Sequence, residues 1–202
     1  KDCLSGRILK NITQEKKGFF FLKGKDRIVE TRLNRYVLAK DKYDKAQKIA
    51  RMLSHVPFVR AILACNSIAY NNTKDKSDVD LIIITKKGGV WWARAICLSL
   101  LAALSLRPEK NKHKNKFCLS VFIDEEHLNL EHLRMGDSDI DFVNWVTDFY
   151  PLYDDGGYYR NFWKANSYWI KRYLPYAEKV IAHNTRTIKS KIYIRKILEN
   201  IL

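Results

Sequence analysis

Two carboxylates one residue apart, Asp78 and Asp80, stand at the head of the run Val79-Asp80-Leu81-Ile82-Ile83-Ile84-Thr85. The run is aliphatic and β-branched, which predicts a strand. Side chains at i and i+2 of a strand share a face, so the two acids would stand side by side, about 7 Å apart. Such a pair opening an apolar strand repels itself and resists burial. A hard divalent cation would remove that penalty, and Mg²⁺ suits a pair of carboxylate oxygens completed by the phosphates of a substrate. Upstream, the apolar run Phe58-Val59-Arg60-Ala61-Ile62-Leu63-Ala64-Cys65 predicts another strand, and it delivers the small polar pair Asn66-Ser67.

Asn66-Ser67, a polar loop, and then Asp78-Val79-Asp80 resemble the Gly-Ser…Asp-x-Asp signature of the nucleotidyltransferase superfamily with the DNA polymerase β-like fold. The match covers roughly residues 58–125. It implies an α+β fold: a mixed, nucleotidyltransferase-like sheet covered by helices. It also implies that Mg²⁺ and a nucleoside triphosphate (NTP) bind together, with the metal on Asp78 and Asp80 and the triphosphate against Asn66 and Ser67. In the family a Gly at the first of these positions lets the backbone approach the phosphates. Asn66 departs from that pattern, although Asn tolerates left-handed backbone better than most residues. Ser67 matches; it either contacts the triphosphate or caps a helix. Lys86 and Lys87, just past the strand, either offset phosphate charge or form a solvated turn.

The family pattern also expects a third carboxylate, in a later strand on the metal-facing side. Phe117-Cys118-Leu119-Ser120-Val121-Phe122-Ile123-Asp124 predicts that strand, and its natural register puts Ser120 at the expected place. Asp124 has the same parity but lies about 13 Å further along at strand pitch. It completes a metal site with Asp78 and Asp80 only if the strand bends. Two aspartates can hold one Mg²⁺ with nucleotide phosphates, but a metal that activates an acceptor hydroxyl needs ligands of its own.

The 202 residues suit one domain, or one with a small appendage. Net charge is +15, which implies a polyanionic neighbour such as nucleotide or RNA, or simply a basic proteome. Cys3, Cys65, Cys97 and Cys118 form no CxxC pair, which predicts reduced thiols in a cytoplasmic protein. The histidines show no metal-ligand spacing, and no signal peptide is visible in a sequence that begins at Lys1. The apolar stretch 90–106 is interrupted by Arg94, and what remains is too short to cross a bilayer. It predicts a core helix, with Trp91 and Trp92 inside, and no membrane partner.

Three parts are expected: residues 1–33, 34–150 and 151–202. The first holds a short helix near Leu4–Gln14, then a hairpin pairing Phe19–Leu22 with Arg27–Val29 around Lys23-Gly24-Lys25-Asp26. Together these resemble the end of a winged-helix module with its wing. Tyr36, Ala39, Tyr43, Ala46, Ala50 and Leu53 recur at helical spacing and predict one amphipathic helix over 31–55, with lysines and arginines on its other faces. Lys110, Lys112, Lys114 and Lys116 alternate in a loop, as a solvated turn or a seat for a phosphodiester backbone. The last part predicts an aromatic helix over 158–174, capping the nucleotide or docked on the core, and a basic helix over 177–202.

Three functions follow. The first is nucleotidyl transfer from Mg²⁺–NTP to a hydroxyl or phosphate acceptor. The second, prompted by Asn66 and the missing acid, is a nucleotide- or RNA-binding module on the same fold. The third is a nucleic-acid-binding regulator that uses the hairpin and the basic tail.

Overall fold

The computed structural model describes residues 11–110, 112–178, 187–188 and 199. Residues 4–10 of the expected helix Leu4–Gln14, Cys3 and most of the basic helix 177–202 fall outside the described residues.

The chain opens with a hairpin, β1 (Thr13–Lys16) and β2 (Phe19–Leu22), paired antiparallel with Lys16 opposite Phe19. Its turn is Lys17-Gly18, both at positive φ (54° and 79°), as a two-residue turn that follows strand twist requires. This corrects the expected pairing. Phe19–Leu22 is a strand, but its partner precedes it, and Arg27–Val29 opens α1 (Arg27–Leu53) instead. Within the expected helix Leu4–Gln14, Thr13 and Gln14 belong to β1. Phe21 and Val29 are buried, and Lys16 of β1 lies 3.9 Å from Glu30 of α1.

α1 has 27 residues and is about 40 Å long. It buries Ala39, Tyr43, Ala46, Ala50 and Leu53, as its spacing predicts, while Tyr36 stays exposed. The strands β3 (Val59–Ala64), β4 (Val79–Thr85), β5 (Phe117–Asp124) and β6 (Tyr150–Asp154) form one sheet in the order β5-β4-β3-β6. β4 runs parallel to β5, and β3 antiparallel to both β4 and β6, so the sheet is mixed. The one-turn helix α2 (Asn66–Ala69) follows β3, α3 (Val90–Ala103) follows β4, and α4 (Ile140–Thr147) and α5 (Tyr158–Tyr173) flank β6.

Strand alternation divides the core into two layers. Ile62, Ala64, Val79, Leu81 and Ile83 pack against α1 and α3. Ala61, Leu63, Cys65, Ile82 and Ile84 pack against α4 and α5. The aromatic helix α5 is therefore docked on the core, through Tyr159, Phe162, Trp169 and Ile170. The buried stripe of α3 is only Ala93, Cys97 and Leu101, so Trp91 (79% exposed) and Trp92 (50%) stand outside it, against expectation. Ile96, Leu98 and Leu100 are partly buried beside that stripe and pack against the same core. Among the described residues, no helix is long and apolar enough to cross a membrane.

Candidate active site at the head of β4

Asp78 immediately precedes β4 and Asp80 is its second residue. Cys65 lies beside Asp80 on one side, with its N–H donating to the Asp80 carbonyl at 3.1 Å. Cys118 is the register partner of Asp80 on the other. The pairing slips by one residue between Leu81 and Ile82, and the extra residue of β5 is Ser120. A bulge of this kind re-aims a side chain. Here the Ser120 hydroxyl donates to Asp80 Oδ1 at 3.2 Å. The place where sequence parity expected a third acid is thus next to the pair, and a hydroxyl fills it.

The other partner of Asp80 is Asn66. Its backbone is left-handed (φ 57°), a conformation Asn accepts more readily than most residues. Its side-chain oxygen accepts from the Trp145 indole N–H at 2.7 Å. The same side chain is hydrogen-bonded to Asp80. Trp145 lies on α4, so the sheet and its covering layer meet at this amide. Ser67 sits next, half-buried.

Burial raises the Asp80 carboxyl above its ordinary range, and repulsion from Asp78 adds to that; the bonds from Asn66 and Ser120 work against both. The same burial pushes up the Cys65 and Cys118 thiols, with the Asp80 charge contributing to each. Asp78 lies 3.8 Å from His113 Nδ1. No lysine or arginine forms an ion pair with Asp78 or Asp80 among the described residues.

The loop that carries Asp78 is fastened to α1. Arg32 donates to the carbonyls of Tyr70 (3.1 Å) and Asn71, and Arg35 reaches Asn72 Oδ1 at 3.4 Å. Lys42, only 3% exposed, donates to the carbonyls of Lys74 (2.7 Å) and Ser77 (2.5 Å). Its pKa is lowered by burial, the nearby Asp75 and Asp78 notwithstanding. Sequence reasoning placed these cations only on the other faces of the helix, without a partner. The signal it passed over was spacing: Arg32, Arg35, Lys42 and Lys45 recur at steps of three and seven, which is one face of a helix.

Three expected site residues are not brought to this place. Lys86 and Lys87 follow the far end of β4, roughly 20 Å from Asp80 at strand pitch. There Lys87 pairs with Glu126 (3.0 Å) and Lys86 approaches Glu199 (3.8 Å). Asp124 is the register partner of Thr85, also at the far end. Its carboxylate accepts from the N–H groups of Gly88 (3.0 Å) and Glu126 (2.9 Å). Despite its bulge, β5 stays paired with β4 as far as Thr85 and Asp124, so it does not bend back. Among the described residues, no group of three or more His, Cys, Asp or Glu side chains could hold a metal ion. A Mg²⁺ on this carboxylate pair would have to draw its remaining ligands from water and substrate, which is how Mg²⁺ is commonly held.

No family model matches the chain, and no curated protein matches it. Among solved structures it is similar to a Sulfolobus solfataricus protein described as a "putative nucleotidyltransferase". The two share 16% identity over 61% of this chain and 87% of the other, with a TM-score of 0.34. A likeness at this level fixes no substrate and no residue role.

Proposed function

We propose that this protein is a nucleotidyltransferase, moving a nucleoside monophosphate from a Mg²⁺-bound NTP to a hydroxyl acceptor. One observation supports this above the others. Asp80 is a half-buried carboxylate repelled by Asp78, and neither is neutralised by a lysine or arginine among the described residues. Such a pair is costly unless a cation joins it. Mg²⁺ bound there would supply charge neutralisation for the phosphates and a lower pKa for a nearby hydroxyl.

The chain's own residues do the positioning. Asp78 and Asp80 would hold the metal. Asn66 fixes one side of Asp80 and Ser120 the other. The left-handed backbone at Asn66 opens the turn that presents Ser67 to the triphosphate. The acceptor oxygen bonds to the α-phosphorus, the bond from that phosphorus to the bridging oxygen breaks, and pyrophosphate leaves. The acceptor proton passes to solvent. Catalysis of this kind is mostly positioning and charge stabilisation. The test is isothermal titration of Mg²⁺-ATP against the wild type and Asp78→Ala/Asp80→Ala. Binding confined to the wild type supports the proposal; equal affinity, or none in either, removes it.

Ser120 favours a second reading, a module on the same fold that holds a nucleotide without transferring it. Incubation with each α-labelled NTP and mixed RNA separates the two. Label appearing on any acceptor defeats the non-catalytic reading.

A further inference from the structure

Two loops meet beside Asp78. One, 70–77, carries Lys74 and Lys76, both exposed. The other joins α3 to β5 and carries Lys112, His113 and Lys114, also exposed. Lys114 pairs with Asp75 at 2.8 Å, and His113 lies 3.8 Å from Asp78. Lys45 of α1 donates to Asn115 Oδ1 at 2.8 Å. These contacts draw the lysines of three elements to the rim of the carboxylate pair. Lys74 and Lys76 have no acidic partner among the described residues, and Lys112 has only the exposed Glu109 at 3.7 Å. The crowding is felt inside as well: Lys45 and Lys114 add to the burial that lowers the pKa of Lys42.

Resting on the transfer reading above, this rim says which acceptor fits. An NTP with one Mg²⁺ bound keeps about two negative charges, too few to neutralise all of these lysines. A cationic aminosugar acceptor would be repelled, and a neutral protein hydroxyl would gain nothing from them. A phosphodiester chain satisfies them by releasing counter-ions on binding.

We propose that the acceptor is the hydroxyl end of a single-stranded nucleic acid, held at its phosphates by Lys74, Lys76, Lys112 and Lys114. The chain lies across the joined loops with its terminal hydroxyl directed at the α-phosphate beside Asp78 and Asp80. Lys86 and Lys87, at the far end of β4, take no part.

The experiment is fluorescence anisotropy of a short labelled single-stranded RNA, and of DNA of the same sequence, across a salt series. Lys74→Gln/Lys76→Gln/Lys112→Gln is expected to weaken binding about tenfold or more and to reduce the log–log salt slope by about 2. A second triple variant on the hairpin, Lys17→Gln/Lys23→Gln/Lys25→Gln, removes the same charge elsewhere and is expected to do much less. DNA binding as tightly as RNA supports phosphate contact alone; RNA preferred with the same rim dependence supports it with sugar contact added. Equal losses in the two triple variants, or an unchanged slope in the rim variant, overturn the proposal. Mg²⁺-ATP affinity, titrated in parallel, keeps the two claims apart. Rim-dependent RNA binding without Mg²⁺-ATP binding retires the transfer reading and leaves the nucleic-acid site. Mg²⁺-ATP binding without rim dependence does the reverse.

Discussion

Replacing Asp80 by Asn should make the protein without metal more stable, although it damages the site. At strand pitch the two carboxylates stand about 7 Å apart, which at an effective dielectric constant of about 20 is a repulsion of roughly 2.4 kcal/mol. The pair is partly exposed, and salt at physiological strength, with a screening length of about 8 Å, cuts this to about 1 kcal/mol. Burial of the Asp80 charge adds in the same direction. The Ser120 hydroxyl can still donate to an amide oxygen at position 80. For a chain of this size, about 1 kcal/mol raises Tm by about 2–4 °C.

The assay is a thermal melt in EDTA and in a Mg²⁺ series. In EDTA, Asp80→Asn should melt above the wild type. With Mg²⁺ at ten times its Kd the wild type should gain about 1.4 kcal/mol, and the variant little. The pH dependence has a definite sign. A carboxyl whose folded pKa is raised destabilises the fold while ionised, so the penalty is fully present above the folded value. It is lost as pH falls from there towards the unfolded value of 3.8. The advantage of Asp80→Asn should shrink over that window. A variant that melts below the wild type in EDTA, or a Mg²⁺ shift equal in both, would refute the reasoning.

Two further perturbations test what holds the site in place. Lys42→Met leaves the Lys74 and Ser77 carbonyls without their shared donor, so it should cost about 2–3 kcal/mol by thermal melt. It should also weaken Mg²⁺ binding, because those carbonyls fix the loop that ends at Asp78. At the far end of the sheet, Arg60 makes a two-pronged ion pair with Glu199 at 2.7 and 2.8 Å, with both side chains nearly buried. Arg60→Ala should cost about 3–5 kcal/mol in urea unfolding, whereas Arg60→Met/Glu199→Leu should recover much of the loss. A double variant as unstable as the single one would show that the pair contributes more than mutual neutralisation.

The acids of the site were legible because carboxylates at the head of an aliphatic run have few stable fates. Ser120 was legible as the occupant of the third place by parity alone, but the bulge that turns its hydroxyl onto Asp80 was not. Bulges depend on pairing register, which the sequence of one strand does not contain. Lys86 and Lys87 were misplaced by treating nearness in sequence as nearness in space. A strand advances about 3.3 Å per residue, so six residues carry the chain across the sheet. The hairpin was displaced because Lys17-Gly18 was passed over as a turn in favour of Gly24. Trp91 and Trp92 could not be placed from periodicity, since α3 is apolar on every face. Lys42 reads as a solvated cation until the loop it holds is seen.

Asn66 and Ser120 both depart from the family pattern, and both give a hydrogen bond to Asp80. The two departures act together. Each stabilises the ionised carboxylate without metal, so each lowers the demand for a cation at the pair. Ser120→Asp tests this directly, because the side chain at 120 already lies within 3.2 Å of Asp80. A third charge about 4 Å from Asp80 adds roughly 4 kcal/mol at an effective dielectric constant of about 20, or about 2.5 kcal/mol after screening, so Tm in EDTA should fall by about 5–10 °C. With Mg²⁺ the gap should narrow: one more ligand should tighten the metal about tenfold, which recovers about 1.4 kcal/mol. A variant whose Mg²⁺-induced shift matches that of the wild type would mean that position 120 does not face the cation. The pair would then bind its metal from the opposite side of Asp80, and Ser120 would serve only to satisfy the carboxylate.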